Sequence, residues 1–188
     1  GSVELGDYLE IGYFEQEMDQ NVSTTCIEEI WKDFPSFTQY EVRSALAKCG
    51  LTTKHIESRV RVLSGGEQAK VRLCKLINKE TNILLLDEPT TWLDLRYQVD
   101  ILELLQTLTR EHGRTVVTVL HDLNFAVNYA DLLVFLKQGR IAGTISDNEV
   151  CSPELIKRVF DVDVQMSINP QTGKPFFMPF RARQAAAQ

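Results

Sequence analysis

The chain has 188 residues, of which 44% are hydrophobic and 24% charged, and its formal net charge is −6. This composition is typical of a globular protein with enough apolar side chains to form a core. No apolar run approaches the roughly 18 residues that a membrane span needs, and the N-terminus lacks a basic and then apolar signal pattern. We therefore expect a soluble, cytoplasmic protein.

The acidic charge is concentrated in the first part of the chain. Between Glu4 and Asp33 there are nine acidic residues and a single basic one, Lys32. A surface of this sign repels phosphate backbones, so nucleic acid is a disfavoured partner. A solvated acidic face is the simpler interpretation of this segment.

The four cysteines are widely spaced and have neither a C-x-x-C pair nor a nearby histidine. Their spacing therefore does not favour a disulfide framework or a zinc site. We expect reduced, mostly buried thiols at Cys26, Cys49, Cys74 and Cys151.

The first elements along the chain are a strand and two helices. The apolar and aromatic run from Tyr8 to Phe14 predicts a strand or a short hairpin. Helices are predicted over Ile27 to Trp31 and over Thr38 to Cys49, with Thr38 as the cap of the second and Gly50 as its end.

A third helix is predicted after Ser64, because Ser64 and Glu67 have the spacing of a capping box. Its apolar side includes Ala69 and Leu73, and Lys70 is predicted to face away from that side. A short apolar strand buried on both faces follows from Ile83 to Leu86 and ends in Asp87.

Strands and helices alternate through the rest of the chain. An amphipathic helix is predicted from Asp94 to Gly113, a second buried strand from Thr115 to Leu120, a helix from Asp122 to Ala130 and a third strand from Leu132 to Leu136. A last helix opens at Ser152-Pro153, and a β excursion with two turns follows Val162. This alternation predicts an α/β fold with a parallel sheet.

Two adjacent carboxylates, Asp87 and Glu88, follow a strand at the sheet edge where α/β folds bind ligands. One carboxylate can hold Mg²⁺, and the other can orient or deprotonate a water molecule. The alternative is that the strand simply ends in acidic residues.

The start of the third helix is a candidate anion site. Ser64, Gly65 and Gly66 offer a hydroxyl, exposed backbone N–H groups and the positive end of the helix dipole. An ordinary capped helix after a glycine turn is the alternative.

Two further polar residues follow predicted strands. Beside the carboxylate pair, His121 is a candidate phosphate sensor, and Gln16 is a candidate donor to a metal-bound water. Taken alone, His121 would be structural and Gln16 an ordinary surface residue.

Together these segments resemble one family. LSGGEQ at Leu63 to Gln68 resembles the signature motif of ATP-binding-cassette (ABC) proteins, and ILLLDEPT at Ile83 to Thr90 resembles their Walker B strand and catalytic glutamate. Leu93-Asp94 is similar to the D-loop, His121 to the switch histidine and Gln16 to the Q-loop glutamine.

The resemblance implies a partial P-loop-NTPase-like parallel sheet with helices and an ABC α-helical subdomain. Residues 1–80 would hold the Q-loop strand, the helical subdomain and the signature helix, and residues 81–188 the Walker B, D-loop and switch-histidine lobe.

The resemblance also implies a composite ATP site between two head-to-tail cassettes. Ser64 and Gly66 would contact the γ-phosphate held by the opposite cassette, and Gly65, Gln68 and Asp94 complete the nucleotide-facing set. Asp87 and Gln16 would serve Mg²⁺, Glu88 would polarise the attacking water, and His121 would touch the γ-phosphate.

One part of the family pattern is missing from these residues. The only Gly-Lys pair, Gly173-Lys174, is followed by Pro175, so no G-x-x-x-x-G-K-[ST] P-loop occurs. We therefore expect these residues alone to bind ATP weakly or not at all. We also expect an exposed apolar slot, or a substitute partner, where the P-loop strand would pair.

The two ends of the chain resemble different cassettes. Up to about residue 86 the chain resembles ABC-F proteins, soluble tandem cassettes that act on ribosomes. From about residue 91, the sequence TTWLDLRYQVDILELL resembles the ATPase subunits of iron–siderophore importers. ABC-F proteins typically carry Asn-His-Leu-Asp in place of Thr91 to Asp94. Our hypothesis is a chimera joined within Asp87 to Thr90.

Three functions stay open at this point. The chain is an ATPase fragment active only with a P-loop-bearing partner, either a second cassette or a fragment, or it is a non-enzymatic module. A homodimer is a further assembly to consider, although neither copy would supply the missing P-loop. The third is a working importer subunit or translation factor, against which the missing P-loop counts. A membrane partner is expected only through the importer-like half. We favour the non-enzymatic module for the chain as it stands and the ATPase fragment for its parentage.

Overall fold

A computed structural model describes residues 6–14, 23–146 and 149–181. The chain divides into two compact units, Gly1–Leu120 and His121–Gln188. The boundary between residues 80 and 81, drawn from the motifs, falls inside the first unit. Each unit is described by itself.

The first unit contains a parallel sheet of three strands: β1 (Ile11–Phe14), β2 (Ile83–Asp87) and β3 (Thr115–Val119). β2 lies in the middle and pairs in parallel with both neighbours. Parallel neighbours need long crossover connections, and helices supply them here. The predicted α/β class with a parallel sheet is confirmed.

The described residues of this unit form five α-helices: α1 (Cys26–Asp33), α2 (Gln39–Lys48), α3 (Thr53–Glu57), α4 (Gly65–Asn78) and α5 (Leu95–His112). The predicted cap at Thr38 is confirmed, and its side chain forms a capping box with Glu41. α3 and the 3₁₀ turn at Val60–Val62 were not predicted, because segments this short show no helical periodicity.

Helix α4 contributes side chains to two hydrophobic cores. Val71 and Cys74 pack with the buried residues of α1 and α2. Ala69 and Leu73 pack with β1, β2 and α5. A helix buried on most of its circumference has little room for a polar face. The prediction that Lys70 points away from the core is therefore wrong: Lys70 is buried.

Strand β3 differs from its prediction as a buried strand. Val117 and Val119 are 53% and 50% exposed. Among the described residues β3 pairs only with β2, so it forms one edge of the sheet. The two valines lie two positions apart, on the same exposed face of this edge strand. The slot expected for a missing P-loop strand stays a prediction.

The second unit contains α6 (Leu123–Tyr129), β4 (Leu132–Lys137), β5 (Arg140–Ser146), α7 (Pro153–Phe160), β6 (Asp163–Ile168) and β7 (Pro175–Phe180). β4 pairs antiparallel with β5, and β6 with β7. The strand predicted at Leu132 thus exists, but in a hairpin rather than in the parallel sheet. The turn between β4 and β5, Gln138-Gly139, has positive φ at both residues, as a type I′ hairpin turn requires.

The remaining predictions can be checked against the described residues. The last helix and the terminal β hairpin are confirmed, with Ser152 capping α7. All four cysteines are free and buried, as expected. Within the described ranges, no helix has the length and apolar character needed to cross a membrane.

Candidate functional site

The first turn of α4 is the start of the candidate site. The Glu67 N–H lies 3.4 Å from Ser64 Oγ, which accepts its hydrogen bond, and the Ser64 N–H donates back to Glu67 Oε2 at 2.9 Å. This reciprocal pair confirms the predicted capping box. It leaves Ser64 and Gly65 exposed at the positive end of a 14-residue helix.

The two glycines of this turn have different surroundings. A Cβ built on Gly65 would have no heavy atom within 4 Å. A Cβ on Gly66 would lie 2.3 Å from Cγ of Tyr97 and within 2.8 Å of two further ring atoms. Gly66 was singled out for phosphate approach, but helix packing alone already requires a glycine there.

The Glu67 carboxylate connects three elements. Its Oε1 accepts from the hydroxyl of Tyr97 on α5 at 3.1 Å and lies 3.3 Å from Nε2 of His55 on α3. His55 Nδ1 accepts from the Thr52 N–H at 3.4 Å, which assigns the ring proton to Nε2.

The electrostatics of Glu67 follow from these contacts. Burial acts to raise the pKa of the Glu67 carboxyl, but hydrogen bonds from Ser64 and Tyr97 and the nearby His55 outweigh it. The pKa therefore lies below its usual value. Neither His55 nor Tyr97 lies in a recognisable motif, so the sequence gives no signal for this cluster.

Buried Lys70 makes a second connection between α4 and α5. Its Nζ lies 2.6 Å from Oδ2 of Asp100 and 5.1 Å from the centre of the Tyr97 ring. An ion pair and a cation–π contact thus compensate the buried ammonium group.

The side-chain amides of Gln68 and Gln98 donate hydrogen bonds to backbone carbonyls in the segments that precede α4 and α5. The Gln68 side chain donates to the Leu63 carbonyl at 3.0 Å. The Gln98 side chain donates to the carbonyls of Thr90 at 3.2 Å and Leu93 at 3.0 Å. Gln68 was predicted to face nucleotide, and in this structure its amide supports the turn before α4. The role of Gln98 had no sequence signal.

The carboxylate pair lies where β2 ends. Asp87 is exposed, whereas Glu88 is partly buried and has a positive φ of 48°. A positive φ is uncommon for a residue other than glycine, and such conformations cluster at functional sites. The Thr91 hydroxyl donates to Glu88 Oε2 at 3.1 Å and limits its orientation.

A small cavity of about 140 Å³ adjoins Glu88. Besides Glu88, it is lined by Phe14, Arg72, Pro89, Thr91, Trp92 and Leu93. The Arg72 guanidinium lies 5.2 Å from the centre of the Phe14 ring. A carboxylate and a guanidinium therefore share the carboxyl-terminal edge of the parallel sheet, where α/β proteins bind ligands.

Asp94 occupies the N-cap position of α5 but makes no capping hydrogen bond with its side chain. It is exposed. The preceding Trp92 is 97% exposed and has a φ of 64°, so this loop presents a large aromatic side chain to solvent.

The predicted site residues lie on several different elements. Ser64, Gly65, Gly66 and Gln68 lie at the start of α4, Asp87 and Glu88 at the end of β2, and Asp94 at the start of α5. His121 is the first residue of the second unit and precedes the α6 cap. Gln16 lies outside the described residues. Over the described ranges, no group of three His, Cys, Asp or Glu side chains could hold a metal ion.

Known proteins match this chain in sequence. Residues 8–91 match the model of the ABC transporter family. The uncharacterized ABC transporter ATP-binding protein YfmM of Bacillus subtilis (strain 168) is 58% identical over 130 residues, which are 69% of this chain and 24% of that protein.

Two importer proteins are also similar. The iron(3+)-hydroxamate import ATP-binding protein FhuC of Bacillus subtilis (strain 168) is 37% identical over 139 residues, 74% of this chain and 51% of its own. The ferric enterobactin transport ATP-binding protein FepC of Escherichia coli (strain K12) is 39% identical over 152 residues, 77% of this chain and 55% of its own. The chain thus spans between a quarter and about half of these relatives.

Solved structures share the fold. An inward-facing metal-chelate type ABC transporter has a TM-score of 0.78 at 22% identity and covers 93% of this chain and 74% of its own. The dimeric ATP-binding cassette MJ0796, bound to ADP and Pi, has a TM-score of 0.62 at 26% identity and covers 74% and 64%. Residues 8–91 thus match the ABC transporter family, and the chain shares the mixed α/β fold of ABC cassettes and is similar to the ATP-binding proteins of siderophore importers.

Proposed function

We propose that this region supplies the signature turn and the catalytic carboxylate of an ABC-type ATPase and acts with a P-loop-bearing cassette. The observation that carries the proposal is the exposed first turn of α4. Ser64 and Gly65 face solvent there, and nothing lies within 4 Å of a Cβ on Gly65. A phosphate can therefore approach the N-terminal amides of the helix closely.

The residues fit the nucleotide that the family uses. Bound ATP with Mg²⁺ supplies the phosphoryl group to be transferred and neutralises its charge. In our proposal Ser64, Gly65 and Gly66 face the γ-phosphate held by the partner cassette. Asp87 offers an exposed oxygen ligand for Mg²⁺.

The role proposed for Glu88 is to orient the attacking water. The hydrogen bond from Thr91 restricts the carboxylate, and a general base needs such a restricted position. We assign His121 to the γ-phosphate, Gln16 to Mg²⁺, and Gln68 and Asp94 to support of the nucleotide-facing turns.

We propose import of an iron–siderophore complex as the process that this ATPase drives. The names of FhuC and FepC support it, since both relatives act in transport of ferric chelates. A membrane permease would then be the partner that receives the conformational change. The translation-factor alternative rests on the resemblance of residues up to about 86 to ABC-F proteins.

The chimera stays a proposal. The YfmM match spans 130 residues and the FhuC match 139 of the 188, so each crosses Asp87 to Thr90. The extent of the matches therefore does not locate a junction. Aligning residues 1–86 and 91–188 separately with each group of relatives tests it, and one group that matches both segments equally well contradicts it.

The function is tested by ATP hydrolysis in a mixture of this chain with a P-loop-bearing cassette. We expect little ATP binding by these 188 residues alone and stimulated hydrolysis in the mixture. Glu88→Gln should lower the stimulated rate by about 10²–10⁴-fold, the usual contribution of a general base. The matched control is Glu103→Gln on the exposed side of α5, which should leave the rate unchanged.

Two outcomes contradict this proposal. Micromolar ATP affinity of the isolated chain by calorimetry would show that it needs no P-loop-bearing partner. The absence of stimulation by the wild-type chain, with the cassette alone active at its own basal rate, would exclude the ATPase role.

A further inference from the structure

One tyrosine of α5 fills the space beside the first turn of α4. The Tyr97 ring occupies the position where any side chain on Gly66 would be, with its Cγ 2.3 Å from a Cβ built there. Its hydroxyl donates to Glu67 Oε1 at 3.1 Å. Ring and hydroxyl thus contact successive residues of the same turn, so the turn cannot move along α5 or rotate against it without losing one contact.

A short chain of hydrogen bonds joins Tyr97 to Ser64. The Glu67 carboxylate accepts from Tyr97 through Oε1 and from the Ser64 N–H through Oε2. The same residue returns a hydrogen bond from its N–H to Ser64 Oγ. The Glu67 carboxylate thus joins the Tyr97 hydroxyl to the backbone N–H of Ser64, so Tyr97 helps to hold Ser64 in place.

Lys70 holds the ring from a second direction. Its ammonium group lies 5.1 Å from the ring centre and pairs with Asp100, three residues after Tyr97 on α5. Charged hydrogen bonds and ion pairs of partly buried groups are stronger than neutral contacts. Lys70 of α4 therefore contacts both the Tyr97 ring and Asp100 of α5, and holds the ring between the two helices.

We propose that Tyr97 is a positioning residue for the signature turn. The proposal rests on the proposed function, in which Ser64 faces a phosphate held by the partner cassette. Tyr97 touches neither the nucleotide nor the reacting atoms. It holds Ser64 and the first turn of α4 in place before the partner binds, so that less ordering is needed at that step.

The first test is amide hydrogen exchange of the isolated chain without nucleotide. Tyr97→Phe keeps the ring over Gly66 and removes only the hydroxyl. We expect the Ser64 and Glu67 amides to exchange about tenfold faster, as the loss of one hydrogen bond to a charged group implies. The matched control is Tyr40→Phe, since Tyr40 is 79% exposed and lies on α2.

The second test is hydrolysis in the mixture with a P-loop-bearing cassette. Tyr97→Phe should raise the chain concentration for half-maximal stimulation about tenfold and leave the maximal rate unchanged, because Glu88 is intact. A purely structural role would lower the melting temperature and leave both kinetic values unchanged below it. Glu67→Gln keeps the length of the side chain and removes its charge. If Tyr97→Phe folds poorly, Glu67→Gln should speed up amide exchange and raise the half-maximal concentration in its place.

The outcomes separate the two proposals. Unchanged amide exchange in Tyr97→Phe, or an unchanged half-maximal concentration, overturns the positioning role. If the wild-type chain does not stimulate hydrolysis at all, the proposed function fails, whereas the exchange experiment still decides whether Tyr97 orders the turn.

Discussion

Replacing Gly66 with alanine tests the contact between α4 and α5 most directly. The new Cβ would lie 2.3, 2.5 and 2.8 Å from three atoms at the base of the Tyr97 ring, so the ring must move. Overpacking of this kind costs about 1–3 kcal/mol. Displacing the hydroxyl from the charged Glu67 costs about another 1.5–3 kcal/mol. Alanine recovers about 1 kcal/mol of helix propensity. We therefore expect a net loss of about 1.5–5 kcal/mol.

Gly65→Ala is the matched control one residue away. A Cβ there meets nothing within 4 Å, so stability should stay the same or rise by up to about 1 kcal/mol. The free energies of unfolding are measured by urea denaturation followed by circular dichroism. Equal effects of the two substitutions would refute the steric explanation.

A double-mutant cycle makes the comparison stricter. Tyr97→Ala removes the ring that Gly66→Ala collides with, so the double variant should lose less stability than the sum of the two single losses. Additive losses would mean that the two residues do not interact.

Three further predictions concern charge and thiol chemistry. Asp100→Asn should lower the free energy of unfolding by about 1–3 kcal/mol, because it leaves the buried Lys70 ammonium without its counter-charge. Lys70→Met should lower it less. A larger loss for Lys70→Met than for Asp100→Asn in urea denaturation contradicts this explanation. The Glu67 pKa is lowered from 4.5 in the folded state, so the stabilisation by the Glu67 carboxylate is complete above pH 4.5 and is lost as the pH falls through the lower folded-state pKa. The difference in unfolding free energy between wild type and Glu67→Gln, measured by denaturation across pH 3–7, should therefore shrink as the pH falls below 4.5. A constant difference contradicts the assignment. Burial raises the pKa of Cys26 to about 11 and that of Cys151 to about 11, so iodoacetamide at pH 8 should label both far more slowly in the native chain than in urea. Mass spectrometry measures the extent of labelling. Fast labelling of the native chain would be inconsistent with the burial of these thiols.

Local signals predicted much of the fold. The cap residue Thr38 marked the start of α2, a capping box marked the start of α4, and an apolar run before Asp87 marked the central strand. These features depend on residues three or four apart, which a sequence displays directly. The motif positions at Ser64 and Asp87 could be predicted for the same reason.

Contacts between distant residues could not be predicted. The Tyr97 ring meets Gly66 across 31 positions, and no local pattern marks either residue for the other. The burial of Lys70 depends on α4 having a core on both sides, which overrides the polar character of one side chain. The pairing of β4 with β5 was missed because Gly143 interrupts the alternation of β5.

The participation of α4 in two cores has a thermodynamic consequence. Its side chains complete the helical cluster around Leu46 and the sheet cluster around Leu84 at the same time. Unfolding either cluster exposes one side of α4 and removes the support of the other. The helices and the sheet of the first unit should therefore melt in one cooperative transition, rather than as two independent parts.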